Sequence, residues 1–76
     1  MHRGKLEIIV DLLGVCKEDA HKTSLVYKTN LNFKLVGNYL KILLEKEWVM
    51  KKGKKYLITD KGKCFLIKAR DVLSEL

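Results

Sequence analysis

A small, mostly helical α+β domain is the fold class this sequence predicts, with three helices, a β-hairpin and a closing helix. Three observations carry it. Apolar residues recur at helical spacing near the N-terminus, through the middle and again towards the end of the chain. Between the middle and last of these stretches, residues 48–58 switch to the alternation of two short strands about Lys52-Gly53. The tip of that hairpin carries Lys51, Lys52, Lys54 and Lys55 around one glycine.

The elements follow in order. Leu6, Ile9, Val10 and Leu13 fall at i, i+3, i+4 and i+7, so a first helix runs from about Arg3 to Cys16 with one buried stripe. Lys17-Glu18-Asp19 breaks the pattern. Thr23 or Ser24 then caps a short second helix whose Leu25 and Val26 face the core, and Thr29-Asn30 ends it. Leu31 plugs the turn. Asn32 is the N-cap of a third helix, on which Phe33, Val36, Tyr39-Leu40 and Leu43-Leu44 form the inner face. The hairpin follows at once, with Gly53 free to take positive φ. Thr59 caps the last helix and Asp60 lies favourably near its N-terminal dipole. Helix, helix, helix, hairpin, helix is the layout of a winged helix-turn-helix, in which one helix enters a DNA groove while a charged hairpin grips the backbone.

Length and composition bound the function. Seventy-six residues make one domain, read as a core over residues 1–59 and a closing dimerisation helix over 60–76. A domain this small buries only about 60% of its unfolded surface, so a partner subunit or very good helix packing is expected to supplement it. A hydrophobic content of 47% excludes a disordered tail. The net charge of +7 favours a polyanionic partner, and residues 51–63 hold six lysines against Asp60 alone. The first apolar run, Ile8 to Val10, is too short for a signal peptide, and no stretch approaches the roughly 20 apolar residues of a spanning helix. A cytoplasmic, nucleoid-associated protein is the expectation.

The third helix presents Lys34, Asn38, Lys41 and Glu45 outward at i, i+4, i+7 and i+11. Long cations reach phosphates or guanine edges, and asparagine can bond adenine bidentately. Lys34, Asn38 and Lys41 are thus candidate groove contacts, and Lys51, Lys52, Lys54 and Lys55 candidate phosphate contacts. A plain solvated face is the alternative for any such helix. Gly37 within it either permits close approach of another backbone or is merely tolerated. Trp48 and Tyr56 flank the hairpin, where aromatic rings seal a small core or, less readily, stack on bases. His2 and His21 have no carboxylate or cysteine at a spacing that a metal or nucleophile site requires, so neither an enzyme nor a cofactor is expected. His21 is a surface residue or a backbone contact. Cys16 and Cys64 are expected to be reduced.

The runs Arg3 to Leu13, Lys22-Thr23 through Tyr27 to Phe33, and Tyr39-Leu40 with Leu43-Leu44 resemble the small archaeal winged-helix DNA-binding proteins. Tyr56-Leu57-Ile58-Thr59-Asp60-Lys61-Gly62 is similar to that family's junction between wing and last helix. The resemblance covers nearly the whole chain. It implies a transcriptional regulator or an abundant chromatin-associated protein, dimerising through an antiparallel coiled coil of the last helix. Here that helix has only about 17 residues, shorter than the rod of the best-known relatives.

Spacing points the same way. Phe65, Ala69, Val72 and Leu76 step by four, three and four residues, as a two-helix seam does. With Leu66, Leu73 and Phe65 packing inward, Ala69, Val72 and Leu76 would be left exposed unless a second chain covers them. The expected partners are therefore double-stranded DNA and a second copy of the chain. The rival from another class is a protein-interaction module without DNA binding, using Leu35, Met50 and Leu57 as an exposed apolar contact.

Overall fold

The computed structural model describes residues 4–76. Arg3, the expected start of the first helix, and His2 lie outside them. Among the described residues the order is α1 (Lys5–Val15), β1 (Ala20–His21), α2 (Lys22–Thr29), α3 (Phe33–Glu45), β2 (Val49–Lys52), β3 (Lys55–Ile58) and α4 (Asp60–Ser74). The predicted layout is present, with one strand added.

α1 is the central helix. It packs against both α2 and α4, so it buries Ile8, Ile9, Val10, Leu12 and Leu13 rather than a single stripe, and Leu6 is only half-buried. A helix flanked on two sides needs a wider apolar arc than one lying on a surface. Leu12, Leu13, Leu25, Val36, Leu43, Leu66 and Cys16 form the fully buried centre. Truncating one of these leucines to alanine costs about 2–5 kcal/mol.

β1 is the strand that sequence periodicity does not reveal. It pairs antiparallel with β3, Ala20 opposite Tyr56 and His21 opposite Lys55, giving a three-stranded sheet in the order β1-β3-β2. Two residues are too few to show alternation, and this strand exists because β3 offers a free edge. The pairing corrects the start of α2. Neither Thr23 nor Ser24 caps it; His21, extended at φ −75 and with no side-chain cap, precedes the first helical residue. The sheet sets that start. At its far end Asn30 takes the left-handed conformation at φ 58, a role that asparagine tolerates.

The hairpin is short and tightly joined. Val49 faces Ile58 and Lys52 faces Lys55. Gly53, with φ +63, is the first of two turn residues, the requirement of a two-residue hairpin turn. Thr59 then caps α4 by accepting a hydrogen bond from the Gly62 amide at 3.0 Å, and its hydroxyl donates to the Glu47 carbonyl at 2.5 Å. Gly62 is buried at this joint. A Cβ there would overlap the Trp48 carbonyl oxygen and lie 2.8 Å from the carbonyl carbon.

Candidate nucleic-acid interface

The ends of α3 determine which of its faces looks outward. Asn32 caps it, its side-chain oxygen accepting from the Leu35 amide at 2.7 Å. At the other end the Trp48 amide donates to the Leu43 carbonyl at 3.0 Å and the Glu47 amide to that of Leu44 at 3.1 Å. Glu47 is left-handed there, at φ 61. This pair of bonds closes the helix and turns the chain straight into β2, so helix and hairpin meet with no free linker between them.

Val36, Leu40 and Leu43 face the core, while Lys34, Asn38, Lys41 and Glu45 are exposed along one side. The predicted polar face is therefore the outward one. The inner face is narrower than expected. Phe33 is 52% exposed and Leu44 36% exposed, at the edges of the buried stripe of Val36, Leu40 and Leu43. Phe33 sits beneath a cation: the ammonium of Lys22 lies 5.8 Å from its ring centroid and beside Gly37. No local pattern in the sequence marks Lys22 as a site residue. Gly37, one turn after Phe33, is the one indirect signal, since it leaves room beside α3.

All four wing lysines are exposed. Lys51 lies 5.6 Å from the ring centroid of Tyr56, its cross-strand partner. Lys52 and Lys55 stand directly opposite one another. Like charges so placed repel, a cost that a bound polyanion would relieve. Trp48 is stacked on Phe65 at 3.8 Å between centroids and 14° between planes, and Tyr56 is buried. Trp48 seals the joint with α4, and Tyr56 belongs to the core. His21 is exposed on β1.

The last helix divides differently from the expected seam. Ala69 is only 3% exposed. It belongs to this chain's own core with Leu66, on a helix that packs against α1. Phe65 is half-buried against Trp48. Of the expected seam, Val72 is 51% exposed and Leu76, which lies beyond the helix end at Ser74, is 94% exposed; Ile67, outside the seam, is 64% exposed as well. Of the rival contact, Met50 is exposed, whereas Leu35 and Leu57 are half-buried.

The remaining chemistry is sparse. Both cysteines are free thiols. Burial pushes the Cys16 thiol up to about 11, and Cys64 is exposed. A groove of about 700 Å³ between α1, α2 and α4 includes Asp11, Lys17, Lys28 and Arg70, and no residue of α3 or the hairpin lines it. Among the described residues no group of three or more His, Cys, Asp or Glu side chains could hold a metal ion, and no helix is long and apolar enough to cross a membrane.

Residues 2–76 match a family model described as winged helix-turn-helix. An uncharacterized protein of Methanocaldococcus jannaschii is 35% identical over 71 residues, a match that takes in 92% of this chain and 34% of that protein. The chain thus spans about a third of the length of that relative. Among solved structures, Sso10a-2, a DNA-binding protein from Sulfolobus solfataricus, superposes with a TM-score of 0.85 at 25% identity. That superposition covers 95% of this chain and 80% of Sso10a-2. Both similar proteins are archaeal.

Proposed function

This chain belongs to the winged helix-turn-helix family, and on that premise we propose that it binds double-stranded DNA as a homodimer. It acts as a transcriptional regulator or a small chromatin protein in the nucleoid, and not as an enzyme. The observation that carries this reading is one arrangement: Lys34, Asn38 and Lys41 exposed along α3, and four exposed lysines on the hairpin that follows it directly. Lys34, Asn38 and Lys41 enter or flank the major groove, and Lys51, Lys52, Lys54 and Lys55 hold phosphates beside it. The structural likeness to a DNA-binding protein supports the same partner. Val72, exposed on α4, and Leu76, exposed just beyond its end, support a second copy as the other partner. Of the rival interaction module's three contacts only Met50 is exposed, at 51%, with Leu35 and Leu57 half-buried, so the apolar surface they offer is small.

Mobility-shift titration against random duplex DNA tests the reading. With about six phosphate contacts per dimer, affinity should fall on the order of a thousandfold between 50 and 200 mM salt. A protein that shifts no duplex at the lower salt, or shifts it equally at both, is not the DNA binder described.

A further inference from the structure

Lys22 is the first residue of α2 and is half-buried. Its ammonium lies within cation–π range of Phe33, 5.8 Å from the ring centroid. Its side chain also crosses α3 one turn further on. A Cβ built at Gly37 would come within 2.9 Å of the Lys22 Nζ and 3.6 Å of its Cε. Phe33 and Gly37 are four residues apart and so lie one above the other on the helix. The lysine therefore rests on a floor made of one aromatic ring and one residue that has no side chain.

That floor gives the mid-helix glycine a physical reason. Gly37 weakens α3 relative to alanine, and what it admits is the end of a lysine side chain from α2, not a second backbone. The position of the floor is the point. Phe33, Gly37 and Lys41 follow one another at four-residue spacing and adjoin Lys34 and Asn38 on the outward arc. A charge from a different helix is thereby set beside the cations of α3.

We infer that Lys22 is a further phosphate-binding residue, held on the outward arc of α3 by the Phe33 ring and the bare backbone of Gly37. The inference rests on the DNA-binding reading above. Lysine binds phosphate as a point charge and needs no fixed fork geometry. A side chain already laid across a neighbouring helix loses less freedom on binding than one waving in solvent.

The test follows binding to one random duplex between 50 and 200 mM salt, together with thermal unfolding, for the wild type, Lys22→Met, Lys22→Arg and Gly37→Ala. Lys22→Met keeps an apolar stem over the ring and removes the charge. It should leave Tm nearly unchanged and, for each protomer in the complex, weaken binding about tenfold near 0.1 M salt and lower the salt slope by about 0.9. Lys22→Arg should restore both affinity and slope. Gly37→Ala should raise Tm, because alanine favours the helix, yet lower affinity, because its methyl takes the place of the ammonium. An unchanged slope in Lys22→Met overturns the inference, and so does a Gly37→Ala protein that gains stability at full affinity. A wild type that binds no duplex at any salt removes the parent reading instead.

Discussion

Gly62 shows how much one missing side chain can decide. It follows the Thr59 cap by three residues, and its amide is the one that the Thr59 hydroxyl accepts from. A Cβ at this position would collide with the Trp48 backbone, and no change of rotamer relieves a clash between backbone and Cβ. Gly62→Ala should therefore destabilise the domain by about 3 kcal/mol or more, read from urea unfolding. A loss below about 1 kcal/mol would mean that the hairpin and α4 separate easily, against the close joint described. Asn38 belongs to the same scale but to function. It is exposed on the outward arc of α3, so Asn38→Ala should leave unfolding almost untouched. If its amide pairs with a base edge, the change should cost about 1–3 kcal/mol on a selected site and little on random DNA. Equal losses on both DNAs would reassign it to the sugar–phosphate backbone.

At the scale of elements, the hairpin is the part whose construction and proposed task are most closely tied. Its turn needs the positive φ of Gly53, and its strands hold Lys52 opposite Lys55 without neutralising either. Replacing Lys54 and Lys55 by alanine should weaken binding to every sequence alike and flatten the dependence of affinity on salt. A double variant that keeps the wild-type slope would remove the wing from the interface. The hairpin, α3 and both side-chain caps were legible because each leaves a local mark: alternation about a glycine, a 3.6-residue period, or an asparagine or threonine ahead of a helix. β1 and the start of α2 left no such mark. Ala20-His21 becomes a strand only through pairing with β3, which lies 35 residues further along the chain.

For the whole molecule, the open question is what covers the end of α4. One chain has a mass of 8.8 kDa; Val72 is exposed on the last turns of α4 and Leu76 lies exposed beyond its end at Ser74. A two-fold homodimer joined there would cover both residues and set two copies of α3 on one duplex. Sedimentation equilibrium at micromolar concentration should then give twice the mass of the chain, and Val72→Glu should return it to one. A single-chain mass that Val72→Glu leaves unchanged would take the dimer out of this account. The seam is smaller than spacing alone implies, because Ala69 is already used inside the chain. What is left must draw on Val72, Leu76 and the exposed edge of Phe65.

By itself the sequence determined the order of the main elements, the outward face of α3 and the charge of the hairpin. Each of these follows from residues within a few positions of one another, where helical and strand periods operate. The tertiary structure alone decided the third strand, the wide buried arc of α1, the place of Ala69 and the approach of Lys22 to Phe33 and Gly37. In each of those cases the deciding neighbour comes from another element. Four-three spacing on α4 describes an apolar stripe equally well whether α1 or a second chain covers it. Only the packed fold shows that Ala69 is covered within the chain while Val72 and Leu76 are not.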